Sequence, residues 1–131
     1  MIMKILLTLF ILFFSSSVFA NSIVLYCVDI RHGGYEYDYN YSMTGNFEVE
    51  RFKIKLDKNN NNISSEAIYL NNPVCEKHEV EGWDVSMTCM DNFSFFAINL
   101  ENFNYYRTIG FGFVMDDEDD IPSAYGICEE F

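Results

Sequence analysis

The chain contains two histidines, His32 and His78, which are its candidates for a general base near neutral pH. His32 stands beside two glycines and His78 in a polar segment, and no G-x-S-x-G or H-E-x-x-H motif accompanies either of them. Among the 20 acidic residues, no spacing singles out a carboxylate pair for glycoside cleavage. We therefore expect a protein that is not an enzyme and that needs no cofactor.

Four tyrosines alternate with polar residues after Gly33-Gly34, namely Tyr35, Tyr37, Tyr39 and Tyr41. Tyrosine suits a binding face because its ring is apolar while its hydroxyl stays hydrated. The alternation predicts a strand, which a Gly33-Gly34 turn would pair with a strand at Ile23–Ile30. In that register the tyrosines face the core together with Val24, Tyr26, Val28 and Ile30. Packing within the sheet is thus favoured, and a surface for a sugar, a lipid or a protein is the alternative.

An acidic run, Asp116-Asp117-Glu118-Asp119-Asp120, offers the oxygen ligands that calcium prefers, with Asp116, Glu118 and Asp120 as candidate ligands. The EF-hand spacing is absent, because Ile121 stands at the sixth position and Ile127 at the twelfth. Five adjacent carboxylates also repel one another and cannot all converge on one ion. A solvated hairpin tip is therefore favoured over a calcium site.

The four cysteines predict two disulfides. Three connectivities are open, and we favour Cys75–Cys89, which closes a short loop, and Cys27–Cys128, which ties the first strand to the last. A zinc site is the alternative, but no C-x-x-C pair is present. In the chain-entropy model such cross-links contribute roughly 3 and 4–5 kcal/mol, which matters in a small domain.

The first 20 residues predict export. Residues 1–20 contain a basic Lys4, an apolar run too short to span a bilayer and a small residue, Ala20, at a cleavage site. We expect a cleaved signal peptide at 1–20, a single all-β domain at 21–131 and a periplasmic or secreted location. Without Lys4, 20 acidic residues face 7 basic ones, a net charge of −13. This charge disfavours nucleic acid and membrane surfaces and would favour a cationic partner, although solubility alone is the favoured explanation of the charge.

The clearest structural signal is a β-hairpin over Trp83–Leu100. Apolar and polar residues alternate on both arms, and Asp91-Asn92 is suited to a two-residue type I′ turn. This turn sets Met87 opposite Phe96. The predicted inner face then consists of Trp83, Val85, Met87, Phe96, Ile98 and Leu100.

Further strands follow at intervals of about ten residues. Phe52, Ile54 and Leu56 are expected to face inward after a bulge near Glu50-Arg51, with Arg51, Lys53 and Lys55 outside. A polar loop at Asp57–Ser65, a short strand at Glu66–Leu70, a polar connection at Cys75–Gly82, a long strand at Tyr105–Met115 and a last strand at Ala124–Cys128 complete the chain. The pattern predicts an all-β, meander-like antiparallel barrel of seven or eight strands, with a two-sheet sandwich as the alternative.

A signal peptide, an early strand cysteine in Tyr26-Cys27 and a closing one in Tyr125-Gly126-Ile127-Cys128 resemble the plan of the bacterial C-type lysozyme inhibitors, small periplasmic eight-stranded barrels. The resemblance covers only the two ends, and that family's inhibitory loop, a Ser-Gly closely followed by Tyr, is absent. No functional residue is therefore carried over.

Three functions remain open. The first is a non-catalytic binding module for a small apolar or sugar-like ligand or a protein partner. The second is an inhibitor of a basic secreted or cell-wall enzyme, and the third is a calcium-stabilised structural protein. A pocket inside the barrel lined by Tyr37, Tyr39, Phe96 and Phe111 would favour the first, and a solid core with an exposed acidic loop would favour the second.

Overall fold

The computed structural model describes residues 22–65, 67, 70, 72–115 and 118–130 and is all-β, a nearly closed antiparallel barrel of eight strands. The strands are β1 (Ser22–Glu36), β2 (Ser42–Thr44), β3 (Arg51–Asp57), β4 (Asn62–Ser64), β5 (Val74–His78), β6 (Ser86–Asp91), β7 (Ser94–Asn99), β8 (Asn104–Ile109) and β9 (Ile121–Glu130). They follow one another around the barrel as β4-β3-β1-β9-β8-β7-β6-β5, and β2 pairs with β1 outside this order. A 3-10 turn (Tyr37–Tyr39) and a four-residue helix α1 (Phe111–Val114) complete the fold.

Both predicted disulfides are confirmed, and each joins residues directly opposite on neighbouring strands. Cys27–Cys128 links β1 to β9, and Cys75–Cys89 links β5 to β6. The second bond secures β5, which ends the ladder beside β4. One cross-link therefore fixes the first strand, β1, to the last, β9. The other fixes β5, which lies at the incomplete seam of the barrel, to β6.

Side chains fill the middle of the barrel. The rings of Phe96 and Tyr105 stack with centroids 5.5 Å apart, and Phe52 meets the Tyr105 ring edge-on at 5.4 Å. All three residues are buried, as are Ile54 and other aliphatic side chains of the inward faces. Burying each such side chain contributes roughly 1.5–3 kcal/mol. Tyr37, Tyr39 and Phe96 do not line one pocket inside the barrel, because Phe96 is enclosed while Tyr39 is exposed, and the side chain of Phe111, the fourth predicted lining residue, lies outside the described part of the structure.

The central hairpin is confirmed as β6 and β7, with its turn one residue later than predicted. Asp91 pairs with Ser94, so Asn92 and Phe93 form the turn, with φ angles of 45° and 68°. Met87 lies opposite Ile98 instead of Phe96, a slip of two residues that leaves every side chain on its predicted face. Met87, Phe96 and Ile98 are accordingly buried.

The predicted inner position of Trp83 is wrong. The chain enters β6 only at Ser86, and Trp83 belongs to the preceding loop with its side chain 80% exposed. Gly82 in that loop has φ of +85°, a conformation that a strand residue does not adopt. In the sequence, apolar and polar residues still alternate through this loop, but the hydrogen-bonded β-ladder begins only at Ser86.

The predicted first hairpin is also wrong, because β1 runs without a turn through Gly33-Gly34. A Cβ on Gly33 would overlap the carbonyl oxygen of Thr44 in β2, and one on Gly34 would overlap that of Ile121 in β9. The glycines therefore permit close approach of two neighbouring strands.

The inward face of β1 differs from the prediction because the hairpin that would have set it is absent, and the register shift between Asp29 and Arg31 changes the inward face only beyond Ile30, where His32 is buried. Leu25, Cys27 and Asp29 are buried, whereas Val24, Tyr26 and Ile30, predicted to face the core, are exposed.

Other boundaries differ from the prediction. The predicted connection at Cys75–Gly82 contains most of β5, and the predicted loop at Asp57–Ser65 contains β4. The predicted long strand through Met115 ends at Ile109, where the chain turns into α1. The predicted strand at Glu66–Leu70 falls mostly on residues outside the described ones, although Leu70 bridges to Ser65. The inward residues of β3 and its outward basic row agree with the prediction.

Candidate functional site

The strand order brings two sequence-predicted sites to one end of the barrel, here called the tyrosine end. Tyr35 near the end of β1 pairs with Ile121 at the start of β9. The segment after β1 therefore lies beside the acidic segment before β9. The opposite end carries the loop 79–85 between β5 and β6 and the turn 100–103 between β7 and β8, and we call it the tryptophan end.

Of the tyrosine row, only Tyr35 lies in a strand. Tyr37–Tyr39 forms a 3-10 turn, and Asn40 and Tyr41 follow with φ angles of 54° and 55°. The rings consequently leave the sheet instead of facing the core, and Tyr39 is 68% exposed. The predicted packing role is therefore wrong, since the ladder that would have imposed the alternation ends at Glu36.

Carboxylates and aromatic rings contact one another at this end. The backbone N–H of Tyr37 donates to Asp120 Oδ1 at 2.7 Å, and a hydrogen bond to Glu118 raises the pKa of the Tyr37 hydroxyl. The Tyr37 and Tyr41 rings lie edge-to-face at 5.7 Å, and Tyr41 lies 5.1 Å from the ring of Phe113 in α1. We define the tyrosine surface as Tyr35, Tyr37, Tyr39, Tyr41, Phe113, Glu118 and Asp120.

The calcium hypothesis concerns the same acidic segment. Two of its candidate ligands, Glu118 and Asp120, interact with Tyr37, and Asp116 lies outside the described residues. Within the described ranges no group of three or more His, Cys, Asp or Glu residues is placed to hold a metal ion. The calcium site therefore stays a prediction.

The tryptophan end holds a surface that the sequence reasoning missed. Trp83 and Val80 are 80% and 60% exposed, and the Trp83 N–H donates to the Val80 carbonyl. The indole lines a groove of about 650 Å³, the tryptophan groove, together with His78, Val80, Gly82, Asp84, Ser86 and Asn99. The available signal was a lone tryptophan inside the polar stretch Glu79-Val80-Glu81-Gly82-Trp83-Asp84.

Asn99 organises the acidic side of this groove. Its Nδ2 donates to Asp84 Oδ2 at 2.9 Å, and its Oδ1 accepts the N–H groups of Glu101 and Asn102 at 2.8 and 3.0 Å. The bond from Asn99 lowers the pKa of Asp84, and the neighbouring Asp84 carboxylate raises the pKa of Glu101. The groove is thus lined by Trp83 and by one carboxylate, Asp84, which interacts with a second carboxyl group, Glu101.

A third polar cluster is buried and structural. Arg107 donates from Nη2 to Asp29 Oδ2 at 2.7 Å and to Glu50 Oε2 at 2.8 Å, while the Tyr105 hydroxyl donates to Asp29 Oδ1 at 2.6 Å. Burial opposes ionisation of Asp29, but hydrogen bonds from Arg107, Tyr105 and the Glu50 N–H outweigh it and hold the pKa of Asp29 below its usual value. Burial and the bond to Asp29 raise the pKa of Tyr105.

The two histidines have structural contacts. His32 Nδ1 lies 2.5 Å from the Glu48 carbonyl oxygen and therefore acts as donor, while its buried Nε2 has no hydrogen-bond partner in the described part of the chain. His78 Nε2 lies 2.8 Å from Thr88 Oγ1. These contacts do not test the expectation that the protein is not an enzyme, which stays a prediction.

No protein-family model matches the chain, and no curated protein or solved structure shows significant similarity to it. Two disulfides indicate an oxidising environment. Among the described residues, no helix is both long and apolar enough to cross a membrane.

Proposed function

We propose that this protein is a non-catalytic binding module, exported to the periplasm or the exterior, that binds a cationic protein through the tyrosine surface. The observation that carries the proposal is the contact between the two predicted sites. Tyr37 joins Asp120 and Glu118 to a set of partly exposed rings, so aromatic area and negative charge share one surface.

Such a surface suits a basic protein partner. Tyrosine supplies rigid apolar contact area at small entropic cost and is enriched among the residues that dominate interface energies. Carboxylates beside the rings can pair with lysine or arginine, and a mature net charge of −13 would attract a basic protein over a longer range. A basic enzyme of the secreted or cell-wall class fits this description, and the protein would then act as its inhibitor.

The filled barrel supports binding on the outside over binding of an apolar ligand inside. Phe52, Phe96 and Tyr105 occupy the middle of the barrel and contact one another. Opening a ligand cavity there would separate close-packed rings and forfeit their burial. A surface that is already exposed needs no such rearrangement.

The proposal is tested by capture of partners on tagged mature protein from its native compartment, at low and high salt. We expect a basic protein that is released by high salt, and a loss of about tenfold or more in its affinity in Tyr39→Ala, by isothermal titration of the purified pair.

Tyr125→Ala is the matched control, because Tyr125 is 50% exposed on the outer face of β9. Equal affinities of Tyr39→Ala and the unaltered protein, or a partner that is retained at high salt, would contradict the proposal.

A further inference from the structure

We propose that the tryptophan groove is a second binding site, which takes an arginine side chain from a protein partner. It lies at the end of the barrel opposite the tyrosine surface, on a separate loop and turn, so the inference goes beyond the function proposed above. One molecule would then be able to hold two basic surfaces at once.

The aromatic half of the site is an exposed indole in a defined position. Trp83 is 80% exposed, and its backbone N–H bonds to the Val80 carbonyl at 3.1 Å. The Leu100 N–H donates to the Val85 carbonyl at 2.8 Å, which joins this loop to the β7–β8 turn. Tryptophan is the best aromatic partner for a cation, and a planar guanidinium can stack on its face.

The acidic half of the site is the pair Asp84 and Glu101. Asn99 donates to the side chain of Asp84 and accepts the backbone N–H of Glu101, and the two carboxyl groups lie within hydrogen-bonding reach of each other. Interacting carboxylates repel when both are ionised, and a bound cation relieves that repulsion. A guanidinium presents several N–H donors in a fork that matches carboxylate oxygens.

The other charged residues near the groove also favour a cationic ligand. Glu79 and Glu81 flank Val80 in the chain, and the Lys77 ammonium is paired with Glu79 at 3.0 Å. The surroundings are therefore predominantly negative.

The neutral hydrogen-bonding groups are mostly engaged. Asn99 uses its Nδ2 on Asp84 and its Oδ1 on two backbone N–H groups, and His78 Nε2 contacts Thr88. The lone pairs left for a ligand belong largely to carboxylates. This arrangement favours a basic side chain over a sugar, whose hydroxyls would need free neutral donors and acceptors as well.

Trp83 is the only tryptophan of the chain, so its fluorescence reports directly on the groove. Mature protein is titrated with a tryptophan-free oligoarginine peptide, with oligolysine and with a chitin oligosaccharide. We expect a saturable change in emission with oligoarginine, several-fold weaker binding of oligolysine because an ammonium lacks the planar fork, and no change with the sugar.

Asp84→Asn and Glu101→Gln should each weaken oligoarginine binding about five- to tenfold, as expected for one charge-assisted contact. Glu129→Gln, an exposed carboxylate change on β9, is the matched control and should retain nearly full affinity. The melting temperature of each variant verifies folding, and the two acidic variants test the pair independently of each other.

Three results would overturn the inference: unchanged Trp83 emission at saturating oligoarginine, an equal loss in Glu129→Gln, or a response to the sugar alone. Tyr39→Ala should leave the titration unchanged, because Tyr39 lies at the other end of the barrel. Failure of the tryptophan site and failure of the tyrosine surface are therefore separate outcomes.

Discussion

Two aspartates with lowered pKa values serve different purposes in this molecule. The Asp29 side chain is fully buried and receives hydrogen bonds from Arg107, Tyr105 and a backbone N–H. Asp84 is exposed, is held by Asn99 and has another carboxyl group, Glu101, as its neighbour.

The difference lies in how the charge is balanced. The cluster around Asp29 contains its own cation, Arg107, and this ion pair joins β1 to β8. Its charges are therefore not available to a ligand. At the tryptophan end, within the part of the chain that the structure describes, Asp84 and Glu101 form no ion pair with a lysine or an arginine. Compensated buried charge therefore supports the fold, and concentrated exposed charge is available to a partner.

The largest expected effect comes from removing the buried cation. Arg107→Met should lower the free energy of unfolding by about 3–5 kcal/mol, because it leaves Asp29 buried without its ionic partner. Arg51→Met, on the exposed outer face of β3, should cost less than about 1 kcal/mol. Urea denaturation measures the free energy of unfolding of both variants. Similar losses in the two would contradict the conclusion that the buried Arg107–Asp29 pair supports the fold.

Acid should selectively weaken the buried cluster. The folded-state pKa of Asp29 is below the unfolded value of 3.8, so its contribution is present above 3.8 and is lost as the pH falls through the folded pKa. Free energies of unfolding measured against pH should therefore drop below about pH 4. Asp29→Asn should be less stable at neutral pH and show a shallower acid drop. An acid drop as steep as that of the unaltered protein would mean that other carboxyl groups dominate it.

The smallest effect is expected at the exposed pair. The pKa of Glu101 is raised by Asp84, so ionisation of Glu101 slightly opposes folding at neutral pH. Glu101→Gln should therefore leave the melting temperature unchanged or raise it slightly at pH 7, even though it weakens binding in the groove. A marked fall in melting temperature would show that the pair of Asp84 and Glu101 stabilises the fold.

The sequence predicted the hairpin faces well because one side of that sheet is buried. Register errors of two residues preserve the face, so Met87, Phe96 and Ile98 were placed correctly although the turn was off by one. The same alternation misplaced Trp83, since the pattern continues past the point where hydrogen bonding to the next strand stops.

The pair Gly33-Gly34 shows more clearly where prediction from the sequence fails. Gly33-Gly34 is compatible with a turn and with close packing of strands, and local chemistry does not distinguish the two. The carbonyls of Thr44 and Ile121, both distant in sequence, decide for close packing. The tyrosines consequently leave the sheet and meet Asp120, a contact that joins residues 83 positions apart.

The sequence by itself determined the all-β class, the presence of two disulfides, the inward residues of β3 and the acidic character of the protein. Each depends on periodicity, composition or the small number of cysteines, which are local or countable properties. Tertiary structure alone decided that Asp29 pairs with Arg107, that Tyr37 contacts the acidic segment and that Asp84, which lines the groove with Trp83, interacts with Glu101. These contacts follow from strand order and from where each ladder ends, because long-range packing sets which loops become neighbours.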